Sequence, residues 1–520
     1  LRLSPEYSGF STVRLGNSGT DSLTLTEADF VGIGGDAITV YGGNVADTVN
    51  AVTLSAKHRL DYFGTVGKDK VTGGAGNDTF TFAAAALTAA DTVAGKGGGD
   101  TLAVTTGGTV GAGGVTGVET FRLAAAADSL VLTDHNFSGL TGHVVTVHGG
   151  NAGDTIDAST LSASNRVVLF GGNGADRLTG GAGNDRFSFA AAALTFADKV
   201  NGGAGADELD ITSAGVAGVS GVSGIETIRL SNAGADALLL GNANFAGTSA
   251  DTITVIGGSA GNVVIAEAVS APHRVTFVGG AGPDLFLDGS GADTFKFAVT
   301  SLSAADVVQG GGSDRLVMMT AGTVAAGGVN GVETYVLGNG GIDTLTLTNA
   351  NFARVTRSAI TVMGGNAGNR ISAASVADAD LAVLKGGAGA DTLIAGRNAT
   401  MTGAAGADVF VFATPGTSAN PDKNRITDFA HATDELAFSD AGFRLGLARA
   451  GTVPRALPAG LFSTRSDGSF DQPGERFSYD KTHGKLYFDA DGNGSSDRSQ
   501  LVATLANHAS IGASDLFFVT

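Results

Sequence analysis

The chain has 520 residues, of which 82 are glycine and only 8 proline, with no cysteine or tryptophan. Lys and Arg number 31 against 50 Asp and Glu, a net charge of −19, which disfavours a nucleic-acid partner, whose phosphates need a basic face. The lack of cysteine excludes disulfides and thiolate metal sites, the 43% hydrophobic content argues for a packed interior, and no apolar run reaches the length of a membrane-spanning helix.

The first residues, LRLSPEYSGF, hold no basic segment followed by an apolar run, so no cleavable leader is visible. There is also no initiating Met, so a processed chain or a piece of a longer one is expected. GFSTVRL at 9–15 then opens a long period. It returns as GVETFRL at 117–123, GIETIRL at 224–230 and GVETYVL at 331–337, the last three evenly spaced. Each copy is followed by an alternating segment: TDSLTLTEADF (20–30), ADSLVLTDHNF (127–137), ADALLLGNANF (235–245) and IDTLTLTNANF (342–352). An apolar strand and a Gly pair come next each time: ITVYGGN, VTVHGGN, ITVIGGS and ITVMGGN. A period of about 107 residues signals a solenoid or array whose units bury their open ends on their neighbours. Boundaries at 1–108, 109–215, 216–322 and 323–420 follow, with a different composition from 421 to 520.

Inside the repeats lie nine-residue blocks. GGNGADRLT and GGAGNDRFS abut from residue 171 and share the pattern G-G-x-G-x-D-x-apolar-x. Six glycine-rich residues suit a tight turn, because each mid-helix Gly costs about 1 kcal/mol relative to Ala. The last three alternate like a very short strand. Turn plus strand, repeated, winds the chain into a coil of parallel strands with turns stacked on two sides, two blocks to a coil. Stacked turns bring Asp carboxylates and turn carbonyls into a column. That is an oxygen-only cage, and Ca²⁺ is the hard cation that takes six to eight such ligands.

The candidate ligands can be tracked through the repeats. They are Asp47, Asp69, Asp78 and Asp100 in the first and Asp154, Asp176, Asp185 and Asp207 in the second. The third has Asp284, Asp293 and Asp314, and the fourth Asp391 and Asp408. The carbonyls of Gly73, Ala75, Gly171, Asn173, Gly180, Ala182, Gly279, Ala281, Gly386 and Ala388 complete the expected cages. Partners nine apart, such as Asp69 and Asp78, should face opposite sides. Same-side partners should come from neighbouring turns, such as Asp47 with Asp69, Asp78 with Asp100, or Asp391 with Asp408. Asn262 and Asn369 replace two carboxylates, and those turns are expected to bind calcium weakly or not at all. The Ala-rich segments FTFAAAALTAADTV (80–93), FSFAAAALTFADKV (187–200) and FKFAVTSLSAADVV (295–308) are expected to be loops bulging from the coil, without chemistry.

These blocks resemble the RTX (repeats-in-toxin) family of secreted bacterial proteins. The resemblance implies a calcium-filled parallel β-roll and export by type I secretion. The long V-E-T units look similar to repeats of S-layer and adhesin-like RTX proteins. The tail resembles the region after the repeats of serralysin-type proteases, through Ile426–Asp428–Phe429, Asp434–Leu436, Tyr479–Asp480 and Leu486–Asp491. An uncleaved secretion signal is implied at its end.

Other constellations are weak. DADGNGSSD at 489–497 matches the start of a calcium loop, with Asp489, Asp491, Asn493 and Asp497 in ligand positions, but Gln500 stands where a bidentate Glu is wanted. A tight acidic hairpin turn explains it as well. GGSAG at 257–261 fits G-x-S-x-G only formally, because it lies in a repeat turn rather than a strand-to-helix elbow. No catalytic set is found. The expected fold is all-β, a right-handed parallel β-roll or β-solenoid of four tandem units with a C-terminal β capping and secretion module. The expected function is a calcium-dependent extracellular structural protein at or near the bacterial surface, self-associating head to tail into a filament or lattice. The alternative is the calcium-binding repeat region of a secreted enzyme, toxin or adhesin.

Overall fold

The computed structural model describes residues 9–417, 421–447, 455–493 and 498–519. They form two compact bodies, one ending at Ser259 and the other beginning at Ala260. The division falls inside the third sequence repeat. Each body is a parallel β-solenoid.

In the N-terminal body one wall is a ladder of short strands, among them Ala37–Tyr41, Arg59–Phe63, Thr79–Phe82, Thr101–Val104 and Thr120–Arg122, all parallel. Ser22–Thr24, Thr48–Asn50, Lys70–Thr72 and Thr92–Ala94 form the facing wall. The strands are short because each block leaves only three or four residues outside its glycine-rich turn. Alternate residues point inward. Tyr62, Phe80, Leu102 and Phe121 from one wall and Val49, Val71 and Val93 from the other are buried. Burial of each such aromatic or aliphatic side chain stabilises the coil by about 1.5–3 kcal/mol.

Strand register explains the long period. Thr39 stands beside Asp61, Asp61 beside Thr79, Thr79 beside Thr101, Thr101 beside Thr120 and Thr120 beside Thr146. These coils differ in length, and five of them close one long repeat. Only the coil from Asp61 to Thr79 is built from two abutting blocks; the others carry enlarged corners. The Ala-rich segment is one such corner, a single turn in which Ala84, Ala86 and Leu87 are buried.

The facing wall restarts once per repeat. Val115–Thr116 joins the wall of the first repeat, while the slightly earlier Gly108–Val110 begins that of the second. The 3₁₀ turn Asp134–Phe137 ties this switch together. Asn136 Nδ2 donates to the carbonyls of Ala112 at 2.8 Å and Val115 at 3.0 Å, and its Oδ1 accepts from Thr133 N–H at 2.8 Å. The N-F ending of the last three alternating segments therefore has a packing cause. Asn244 repeats the bridge in this body, and Asn351 makes it in the other.

The C-terminal body has a ladder of the same kind, through Arg274–Val278, Thr294–Phe297, Arg315–Met318 and Thr334–Val336. The degraded block in the fourth repeat gives a shortened coil, with Val383 beside Thr400. The last strands change direction. Gln500–Leu505 extends one wall in parallel but pairs antiparallel with Lys485–Phe488, which pairs antiparallel with Phe477–Asp480. Leu516–Val519 closes the other wall. Phe438, Phe443, Phe477 and Phe488 pack with ring centroids 4.3–5.8 Å apart and fill the end of the core.

Asn136→Ala would remove the side-chain donor from two carbonyls, of which Ala112 keeps the Val115 N–H, a loss of about 1–3 kcal/mol. Amide exchange at Gly117, whose N–H bonds the Ser138 carbonyl across this switch, should quicken relative to wild type and to the exposed control His135→Ala. Unchanged exchange would show the bridge to be inert.

Candidate metal centre

The repeat Asp residues point into the solenoid corners, and none of the thirteen read as ligands is more than 1% exposed. They form ladders in which the backbone N–H of one Asp donates to the carboxylate of the Asp one coil on. On one side Asp47 donates to Asp69 at 3.0 Å and Asp69 to Asp91 at 2.7 Å. In the second repeat the ladder runs Asp128, Asp154, Asp176, Asp198, at 2.7–2.8 Å. In the C-terminal body it runs Asn262, Asp284, Asp306, and again Asp343, Asn369, Asp391, Asp408, Asp434. The opposite corner holds shorter ladders: Asp78, Asp100, Glu119; Asp185, Asp207, Glu226; and Asp293, Asp314, Glu333.

The structure thus adds members that sequence reasoning missed. Asp91, Asp198 and Asp306 sit in the segments expected to lack chemistry, and this corrects that expectation. Their signal was a Thr or Ser three residues earlier. Thr88 N–H and Oγ1 donate to Asp91 Oδ2 at 2.7 and 2.9 Å, Thr195 does the same for Asp198, and Ser303 N–H caps Asp306. Each also follows a block Asp by one and the same interval, Asp69 to Asp91, Asp176 to Asp198 and Asp284 to Asp306. Glu119 and Glu333 are the Glu of the V-E-T motif, and Glu226 that of its I-E-T copy.

Block glycines have two distinct causes. A Cβ on Gly73, Gly180 or Gly386 would come within 2.2–2.4 Å of Oδ2 of the Asp five residues on. A Cβ on Gly171 or Gly279 would instead strike the ring of Phe189 or Phe297 at 2.0–2.1 Å. Ala75, Asn173, Ala281 and Ala388 lie exposed at turn tips and Ala182 is half-buried.

Several carboxylate oxygens are buried with no donor among the described residues: Asp47 Oδ1 and the Oδ2 of Asp100, Asp176, Asp207, Asp284, Asp391 and Asp408. Such atoms fit a cation better than an apolar core, where an uncompensated charge is costly. The two Asn substitutions point the same way. Asn262 Nδ2 donates to the Ala260 carbonyl at 2.7 Å, and Asn369 Nδ2 to the Ala367 carbonyl at 2.7 Å and Asp391 Oδ1 at 3.1 Å. The amide NH₂ draws a turn carbonyl and a carboxylate together, as a cation would. In the first repeat Tyr62 Oη donates to Asp69 Oδ2 at 3.0 Å and plays a similar part.

Removal from water is the main cause that pushes Asp69, Asp78, Asp284, Asp314 and Asp408 up to about 6, Asp176 and Asp207 to about 7 and Asp100 to about 8. Neighbouring carboxylates add to it; Asp78 and Glu119 act on Asp100. Backbone N–H donors oppose it.

In the tail, Asp489 Oδ1 accepts from Asp491 N–H at 3.1 Å and Asn493 donates its amide to the Asp471 carbonyl at 3.0 Å. This is the geometry of a tight turn after Lys485–Phe488. Asp497 lies outside the described residues.

Two family descriptions match the chain. The RTX calcium-binding nonapeptide repeat matches residues 62–84, 168–191, 192–210 and 276–296, and Peptidase M10 serralysin C terminal matches residues 329–446. The second match covers the fourth repeat and the start of the tail, including Ile426–Phe429 and Asp434–Leu436, but not the pattern at 479–491. No curated protein matches the chain.

Cation-free chain should be stabilised by acid. Its buried Asp residues hold protons that the unfolded chain releases from about pH 4 upward, so stability falls as pH rises from about 4 through 6–8. Protein freed of calcium by dialysis should keep more β structure by circular dichroism at pH 5 than at pH 8, and saturating calcium at pH 8 should remove the deficit. Calcium-free β content indifferent to pH would contradict this.

Proposed function

The chain is an RTX protein with a serralysin-type C-terminal region, and from that premise we propose that it is a calcium-folded extracellular structural protein that self-associates at or near the bacterial surface. RTX repeats bind Ca²⁺ at multiple turns and mark a secreted protein. The observation that carries the calcium dependence is the stack of buried carboxylates with orphaned oxygens. Without cations the ladders hold like charges close together in a poorly solvated corner; with them the same groups become ligands, and binding energy becomes folding energy. The ligands of each cage are the carboxylates of successive ladder members, such as Asp78 with Asp100 or Asp185 with Asp207. The turn carbonyls at the first and third block positions, such as Gly73 and Ala75, complete it. A chain of this kind stays loose in a calcium-poor cytosol, suits type I export, and folds outside.

Self-association is supported by the layout. Each body is built of coils, with no helix longer than four residues among the described residues, so the surface each offers to a partner is wall face and corner. Copies stacked head to tail would give a filament or lattice. The serralysin C-terminal match favours a second reading, in which this region serves a secreted enzyme, toxin or adhesin.

Far-UV circular dichroism at pH 8 should show the β spectrum lost in chelator and restored by millimolar calcium; an unchanged spectrum in chelator would sink the folding claim. Electron microscopy of the calcium-loaded chain should show filaments or sheets. Discrete monomers at every concentration tried would favour the second reading.

A further inference from the structure

One turn of the third repeat departs from the block pattern by adding a charge. Residues 288–296 read DGSGADTFK, so Asp288 stands where Gly73 and Gly180 open the equivalent blocks. At those glycines a Cβ would lie 2.2 Å from Asp78 Oδ2 and 2.4 Å from Asp185 Oδ2. The third repeat makes room by giving up a hydrogen bond. Asp78 Oδ2 accepts from Gly74 N–H at 2.7 Å and Asp185 Oδ2 from Gly181 N–H at 2.6 Å. Asp293 Oδ2, the equivalent atom, is buried and accepts from no donor among the described residues. Its Oδ1 keeps the Val275 N–H at 2.5 Å.

Asp288 is 6% exposed, and neither of its oxygens has a donor among the described residues. One oxygen of Asp288, one of Asp293 and one of Asp314 all lie within 4.8 Å of one another. Asp314 is held in place by Asp293 N–H on Oδ1 at 2.9 Å and by the N–H groups of Gly311 and Gly312 on Oδ2 at 3.0 Å. The site is therefore three converging carboxylates: Asp314 held by three N–H groups, Asp293 by one and Asp288 by none among the described residues. A proton shared between Asp288 and Asp293 would satisfy one oxygen of each and leave the other Asp288 oxygen bare. A divalent cation can contact one oxygen of each of the three residues.

We propose that Asp288, Asp293 and Asp314 form a three-carboxylate site for one calcium ion, tighter than the glycine-opened turns of the other repeats. The proposal rests on the calcium reading above and adds a residue that the repeat pattern does not supply. The added charge strengthens attraction for a hard cation, and the oxygens already face one another. The third repeat then keeps its ion as calcium falls.

Calcium titration of the full chain against a chromophoric chelator tests this with wild type, Asp288→Gly and Asp288→Asn. The glycine variant restores the residue found at 73 and 180 and so keeps the fold; the asparagine variant keeps the shape and removes the charge. Each should lose one ion from the tightest class, with at least a tenfold weaker affinity for it, while the remaining sites titrate as before. In wild type, the amides of Leu285–Leu287 and Thr294–Phe297 should be the last among the repeats to lose exchange protection as chelator is raised. Variant isotherms that superimpose on wild type, or tighten, would overturn the proposal and leave the calcium reading standing. A wild-type chain that binds no calcium would overturn both.

Discussion

The structure depends on one constraint: carboxylates must be stacked, out of water, at the corners where the chain turns. Each corner Asp fixes the turn before it by accepting a backbone N–H from the previous coil. Asp78 takes Leu60 N–H at 2.6 Å and its own turn's Gly74 N–H at 2.7 Å. Those bonds set the rise from coil to coil. They also place the next Asp over the last, and this is where the cost arises. A short polar side chain that staples its neighbours is also a charge in a poorly solvated column. Something positive must share the column, whether a proton, an amide NH₂ or a cation. The chain uses the amide at Asn262 and Asn369 and a tyrosine hydroxyl at Asp69. The orphaned oxygens of Asp47, Asp100, Asp176, Asp207 and Asp408 mark where it uses neither.

From this follows the unusual composition. Glycine dominates because the corner atoms approach too closely for a Cβ, either against the carboxylate itself or against a phenylalanine of the next coil. The strands contribute little hydrogen-bonding length, so cohesion between coils falls to the alternating apolar positions and the corner ladders together. The acidic net charge is a direct result of repeating a corner that needs a carboxylate every coil.

Much of this was legible in the sequence. The block G-G-x-G-x-D-x-apolar-x forces turn then strand, and its repetition forces a parallel solenoid. The opposite-side placement of Asp69 and Asp78 follows from half a coil of nine residues. The pairing of Asp391 with Asp408 follows from a spacing near one full coil. The enlarged corners were not legible, because nothing in an Ala-rich run says that it ends in a ladder carboxylate. Asp91, Asp198 and Asp306 lack the glycine-rich turn that precedes the block Asp residues, and a Thr or Ser three residues earlier supplies the turn donors instead. The N-F endings were visible as a repeat but not as a bridge, since the carbonyls that Asn136 joins, those of Ala112 and Val115, lie a full coil back along the chain.

The long period and the charge problem meet in the V-E-T glutamate. The ladder through Asp78 and Asp100 stops at Glu119, whose Oε2 accepts the Asp100 N–H at 2.7 Å. Glu226 and Glu333 end the equivalent ladders. The longer Glu side chain reaches the donor from a half-buried position at the corner's edge, nearer water than the Asp it serves. It also holds the loop of the following coil. Glu226 Oε1 accepts from Ser249 N–H at 3.0 Å, and Glu333 Oε1 from Thr356 N–H at 2.9 Å. Like-charge repulsion grows with every carboxylate added to a column, so a ladder reset once per long repeat keeps the repulsion bounded however many repeats are joined. The unit of repetition in this chain is accordingly the five-coil segment after which an acidic ladder must end, and not the nine-residue block.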